Sequence, residues 1–135
     1  MQPFDVQSIA IRAPADVVFR YVADRFALPD WTHAFTRVDA RTATLETPAG
    51  AVEIRLDVLA YGDSGSVDWI MTFPDHSVGR AHARVVSGLD RSSILCFVLL
   101  APPVPQEQIE GTLEQQRKIL RSELERLRQI LERPA

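Results

Sequence analysis

The stretch from about Pro105 to Arg133 has the pattern of one long amphipathic helix, and it follows a run of strands with no helix among them. This order constrains the fold because an antiparallel sheet with one apolar face needs a cover. A single rod laid across a strongly curved sheet leaves part of the concavity unfilled, so the order of elements predicts a built-in cavity. Projected at about 100° per residue, Ile109, Leu113, Gln116, Leu120, Leu124, Leu127 and Leu131 fall on one stripe. Gln116 is the polar interruption, which needs a hydrogen-bond partner from the backbone, from water or from a ligand. The opposite face pairs Glu114 with Lys118, Arg121 with Glu125 and Arg128 with Glu132 at i,i+4 spacing. Thr112 and Gln115 form a capping-box pattern that would start the main helix one turn later.

The rest of the chain separates into two parts. Phe4 to Arg12 alternates in two phases, Phe4 and Val6 against Ile9 and Ile11, which predicts a strand with a bulge near Gln7 or Ser8. Ala13-Pro14-Ala15-Asp16 opens a helix with Pro14 at the first helical position and Val18, Tyr21 and Val22 on its buried stripe. Pro29 to His33 predicts a second, short helical turn started by Pro29. From Phe35 to Ala101 the period changes to two, with turn residues at regular intervals, and six strands fit this span. The turns are Pro48-Ala49-Gly50, Gly62-Asp63-Ser64-Gly65, Pro74-Asp75-His76-Ser77 and Gly88-Leu89-Asp90, and Pro102 to Pro105 is a stiff connector.

Composition excludes several classes. At 135 residues the chain is one domain, 1–135, large enough for a core without staples. The formal charge of −3, with arginines scattered among acids, argues against a phosphate-tracking surface, so no nucleic-acid partner is expected. No apolar run approaches the roughly 20 residues of a membrane span, and no basic, apolar leader begins the chain. The lone Cys96, within Ile94 to Val98, is expected to behave as a small hydrophobe, and the absence of a disulfide framework fits a cytoplasmic location.

The chemistry-bearing residues are few. Gly62-Asp63-Ser64-Gly65 looks like a protease nucleophile loop but is a natural hairpin turn. Asp30 and His33 have metal-ligand spacing, common on surfaces, so no metal and no cofactor is expected. His82 lies in a strand with Arg80, His82 and Arg84 on one face and Gly79, Ala81, Ala83 and Val85 on the other. Three cationic or polar groups in an apolar cavity are costly, which favours that face outside. The alternative has them line a site that polarises a carbonyl or holds a carboxylate. Trp69 shares its face with Val67, Met71 and Phe73 and is expected in the core or cavity wall. Trp31 fits either plain core or the pocket mouth.

Ile9 to Phe19, Tyr21-Val22-Ala23-Asp24, Leu28-Pro29-Asp30-Trp31 and the closing helix, in this order, are similar to the START/SRPBCC superfamily, in particular its polyketide cyclase/dehydrase-like branch. The resemblance implies an α+β helix-grip fold: a seven-stranded curved antiparallel sheet around a long C-terminal helix, with two short helices after strand 1. It also implies a hydrophobic cavity between sheet and helix. No catalytic residue is shared across that superfamily, and no glycine-rich loop occurs between Ala40 and Gly50.

Binding of a small hydrophobic or amphipathic molecule, such as a lipid, polyketide or isoprenoid, is therefore the leading expectation. Its lining would be Trp31 and Phe35 near the helical corner, Ile54, Leu56, Trp69, Met71, Phe73 and Ala83 from the strands, and Leu113, Gln116 and Leu120 from the helix. A cyclase or dehydratase using the same pocket is the alternative, with His82, Arg84, His33 and Gln116 as candidates for moving protons. A homodimeric interaction module is the third reading, because the strand Ser93 to Leu100 is apolar on both faces.

Overall fold

A computed structural model describes residues 3–47, 50–101 and 106–133, with side chains of 106–112 outside the description. Strand β1 (Phe4–Ile11) leads into helix α1 (Ala15–Ala23), a 3₁₀ turn (Arg25–Ala27) and helix α2 (Leu28–Trp31). Strands β2 (Phe35–Val38), β3 (Thr42–Thr47), β4 (Gly50–Tyr61), β5 (Ser66–Thr72), β6 (Val78–Ser87) and β7 (Ser93–Leu100) follow, then helix α3 (Gln106–Leu131). The strands form one antiparallel sheet in the order β1-β7-β6-β5-β4-β3-β2. This is the expected α+β helix-grip architecture.

The helical corner is held by local chemistry. Pro14 is extended (φ −60°, ψ 148°) and caps α1 from outside, so Ala15, and not Pro14, takes the first helical position. Its carbonyl accepts from Val17 and Val18 N–H. Asp24 ends α1, and its carboxylate accepts from Phe26 N–H at 3.0 Å to start the 3₁₀ turn. Helix α2 begins at Leu28, one residue before Pro29, and ends at Trp31; the Thr32 hydroxyl donates to the Leu28 carbonyl at 2.6 Å, leaving His33 beyond the helix. Arg25 ties the corner down by donating to the Asp39 and Leu56 carbonyls, both at 2.9 Å.

Register decides which side chains face inward. Trp69 pairs with Ala81 and Met71 with Gly79, so β6 turns Gly79, Ala81, Ala83 and Val85 to the concave face. The concave face of β7 carries Ser93, Leu95, Phe97 and Leu99. Trp69 and Phe97 meet across the small residues of β6, their rings stacked at 5.4 Å with an interplanar angle of 26°. Helix α1 covers the end of the concave face near Gly62, with Phe19 at van der Waals distance from that glycine. Helix α3 lies along β1 and touches α2, burying Leu113, Leu120, Leu124 and Leu127.

Strand β1 contains no bulge: its register with β7 is unbroken from Phe4 to Ile11. Phe4 and Val6 are exposed on the convex side, and Asp5 and Gln7 face inward with Ile9 and Ile11. The physical reason lies on α3. Arg117 pairs with Asp5 at 3.4 Å, and Gln7 donates both to Asp5 (2.7 Å) and to the Arg117 carbonyl (3.0 Å). Further along, Arg121 donates to the Ser8 carbonyl and Glu132 accepts from Arg12 N–H at 2.8 Å. The inward polar residues of β1 therefore fasten α3, a role that periodicity does not reveal.

Helix α3 differs from expectation in other respects. Its backbone is helical from Gln106, before the Thr112 and Gln115 pattern. Among the described residues its own ion pairs run i,i+3, Glu114 with Arg117 and Glu125 with Arg128, while Glu132 turns to Arg12 instead of Arg128. The Ile109 side chain lies outside the described residues, as do the Pro102 to Pro105 connector and Pro48-Ala49.

The turns give a direct test. Gly65 has φ +72°, and a Cβ there would sit 2.3 Å from the Val85 carbonyl oxygen, whose own N–H donates to Gly65. Gly65→Ala is expected to lower unfolding free energy by about 2 to 4 kcal/mol. By contrast, Asp90 and Arg91 occupy successive left-handed positions (φ 54° and 59°) in the open β6–β7 turn. Arg91→Gly is expected to raise stability by about 0.5 kcal/mol. Urea denaturation measures both.

Candidate functional site

The residues expected to line a cavity fall into two groups. Trp31, Ile54, Leu56, Trp69, Ala83, Leu113 and Leu120 are buried in the core. Phe35, Met71, Phe73 and Gln116 are half-buried. Register places Leu45, Val52 and Leu99, also half-buried, on the same concave face. These apolar side chains gather at the strand ends remote from α1, beneath the side from which α3 enters. Gly79 lies under this strip and lets it pack down: a Cβ there would be in van der Waals contact with the Phe73 ring at 3.4 Å and the Met71 methyl at 3.5 Å. The Gln116 amide has no hydrogen-bond partner among the described residues and is not sealed from solvent.

His82 and Arg84 are elsewhere. Both project from the convex face with Arg80, because their strand neighbours Ala81 and Ala83 take the inward positions. This corrects the alternative in which the three line an interior site. His82 Nδ1 lies 2.7 Å from the Asp68 carboxylate, and Arg84 donates to the Ser64 carbonyl at 3.2 Å. The sheet itself separates them from the concave strip. Gly62 to Gly65 is a turn, with the Ser64 and Ser66 hydroxyls 2.8 Å apart. Strand β7 lies between β1 and β6, with Leu95 and Phe97 buried inward and Ile94 exposed on the convex side.

His33 is exposed at a second, polar concavity. A cleft of about 240 Å³ lies between α2 and α3, with Trp31, Thr32 and His33 on one side and Ser122, Glu123 and Arg126 on the other. The Glu123 carboxylate accepts from the His33 backbone N–H at 2.5 Å. Arg126 Nε donates to the Asp30 carbonyl at 2.5 Å. Burial pushes the Glu123 carboxyl above its ordinary value, opposed by the hydrogen bond from His33 N–H and by the His33 charge. Tyr21, 3.5 Å from Asp30, is also raised, first by burial and then by the Asp30 charge. Neither indole finds a partner: Trp31 Nε1 and Trp69 Nε1 are buried without a hydrogen bond among the described residues.

Glu123 and Arg126 are the residues missed in the sequence. Glu123 lies three residues after Leu120 and four before Leu127, so helical periodicity brings it to the flank of the buried stripe. That position was the available signal for a carboxyl deprived of water.

A carboxyl whose folded value is raised holds its proton more tightly in the folded than in the unfolded chain. Its stabilising contribution is complete below the ordinary value of 4.5 and is lost as pH rises through the folded value. Glu123→Gln keeps an acceptor for His33 N–H and removes the buried charge. The variant is expected to melt higher than the parent at pH 7 and at the same temperature at pH 4, measured by calorimetry across that range.

No family model and no curated protein matches the sequence. Solved structures do. XoxI from Bacillus cereus superposes with a TM-score of 0.70 at 16% identity, over 95% of this chain and 94% of that one. A START superfamily protein from Mycobacterium smegmatis gives 0.66 at 16% identity over 96% and 99%. The Zhui aromatase/cyclase from a Streptomyces species gives 0.66 at 11% identity over 98% and 95%. The chain thus has the START-like helix-grip fold that these structures share.

Proposed function

We propose that the protein binds a small hydrophobic or amphipathic molecule on its concave face, between the strip Phe35, Leu45, Val52, Met71, Phe73 and Leu99 and the amino-terminal half of α3. The observation that carries this reading is the half-burial of these apolar side chains on the inward face of the sheet, where a packed core would bury them completely. Gln116 of α3 is half-buried with no hydrogen-bond partner among the described residues, which makes its amide the group to orient one polar end of the molecule. Lipids, polyketides and isoprenoids have the required combination of apolar body and polar end. The names of the similar structures, a START protein and an aromatase/cyclase, support the same class.

A second reading, a cyclase or dehydratase acting on this face, is favoured by the polar residues Asp5 and Gln7, which β1 turns to the concave side, together with the half-buried Gln116 of α3. Asp5 and Gln7 are already engaged with Arg117, which leaves Gln116 as the group available to a substrate. Binding of the apolar molecule precedes any such chemistry, so one experiment serves both readings.

Native mass spectrometry after incubation with a fatty acid, a polyaromatic probe and an isoprenoid alcohol identifies the class retained. At 100 times its Kd the retained probe is expected to raise unfolding free energy by about 2.7 kcal/mol. Gly79→Val builds side chain into the space bounded by Phe73 and Met71. It is expected to weaken binding by at least about tenfold, equivalent to about 1.4 kcal/mol, at a stability cost of about 1 to 3 kcal/mol because Phe73 and Met71 already touch the Cβ position. No probe retained by the parent protein would instead mean that the strip is ordinary core.

A further inference from the structure

The cleft between α2 and α3 is chemically unlike the apolar strip and stands independently of it. Glu123 and Arg126 face it from positions i and i+3 of the same helix, near enough to pair. They do not pair. Glu123 Oε2 is taken by the His33 N–H, and no described residue occupies its other oxygen. Arg126 spends Nε on the Asp30 carbonyl, which fixes the guanidinium against α2, and no described residue meets its two terminal nitrogens. His33 adds an exposed imidazole and Ser122 a hydroxyl whose proton goes to the Ile119 carbonyl, leaving its oxygen free to accept. Trp31, whose indole N–H is buried without a hydrogen-bond partner among the described residues, is one of the lining residues.

This arrangement presents a fixed fork of donors beside a desolvated acceptor, in a concavity with room for a molecule of a few heavy atoms. A guanidinium selects a carboxylate through two parallel hydrogen bonds. A carboxyl oxygen one helical turn away selects a donor on the neighbouring carbon of the same molecule. We propose that the α2–α3 cleft is a binding site for a small carboxylate bearing a hydrogen-bond donor on the adjacent carbon, an α-amino or α-hydroxy acid, with Arg126 holding the carboxylate and Glu123 the donor. Burial of Glu123 strengthens its attraction for a donor relative to a carboxyl in water. The same burial disfavours a second anion with no donor of its own, which would face Glu123 directly.

The full chain, labelled with ¹⁵N, is titrated separately with L-alanine, L-lactate and propionate while the Trp31 indole resonance is followed, assigned by its survival in Trp69→Phe. L-Alanine or L-lactate is expected to shift this signal saturably with a Kd of millimolar order, and propionate to bind at least about tenfold more weakly because it offers Glu123 no donor. Preference for alanine identifies the amino acid arm, and preference for lactate the hydroxy acid arm. Arg126→Leu is expected to abolish saturation, and Arg126→Lys to retain weaker binding through its charge. If Arg126→Leu loses the dispersed spectrum of a folded protein, the Arg126→Lys comparison with Glu123→Gln decides. Equal binding of propionate and alanine, unaltered affinity in the Arg126 variants, or no saturable shift with any probe would each overturn the proposal.

Discussion

A helix is about 10 to 12 Å across with its side chains, whereas seven strands spaced about 4.8 Å apart make a sheet several times that width. One helix cannot cover such a face, and this mismatch governs the molecule. Helix α3 takes its position along the edge strand β1, where Asp5, Gln7, Ser8 and Arg12 meet Arg117, Arg121 and Glu132. Polar contacts with defined partners fix the helix in register as apolar packing by four leucines alone would not, since leucine contacts are tolerant of sliding. Helix α1 covers a second region, the concave ends near Gly62. What remains is the opposite end of the concave face, where Met71, Phe73 and Leu99 keep part of their surface.

The shape of that remainder is set by β6. Before Val85 its inward residues are Gly79, Ala81 and Ala83, all small, between strands carrying Trp69 and Met71 on one side and Phe97 and Leu99 on the other. Small side chains on the middle strand let Trp69 and Phe97 lean over it and stack. The stack fills the centre, and over Gly79 the Phe73 ring and the Met71 methyl close in to van der Waals distance of where a Cβ would sit. Closed core and open strip are therefore successive positions along one strand pair, and they differ by which large ring lies opposite which small residue.

Much of this was legible in the sequence. The order of elements, the six strands after the helical corner, the leucine stripe and the inward face of β6 all follow from hydrophobic period, because burial there depends on side-chain size and polarity alone. The phase of β1 was not legible: Asp5 and Gln7 face inward because of partners more than a hundred residues away, and period-two reasoning assigns apolar residues to the inside. The i,i+3 pairing of Glu114 and Glu125 was hidden for a similar reason, since rotamers on α3 answer to β1 and α2 as well as to the helix surface. For the candidate site, Trp31 and His33 were visible as residue types, but Glu123 and Arg126 were among many charged residues of one helix. Only the seating of that helix against α2 distinguishes them from the rest.

The seating of α3 also separates three kinds of chemistry. The apolar strip lies on the concave face, where its carbon surface can be covered only by something that enters the sheet. The Glu123 and Arg126 cleft lies between two helices, with Trp31 among its lining residues. The His82 and Asp68 pair lies on the convex face, with the full thickness of the sheet between it and the strip. A mechanism that moves protons with His82 on a molecule held by Phe73 is thus geometrically closed. Among the described polar groups on the concave side, Asp5 and Gln7 of β1 already hold the helix in place, and the Ser93 hydroxyl of β7 is buried. To recruit Asp5 and Gln7 for chemistry would loosen the contact that seats α3 along β1, so proton transfer by these two groups and the seating of the helix compete.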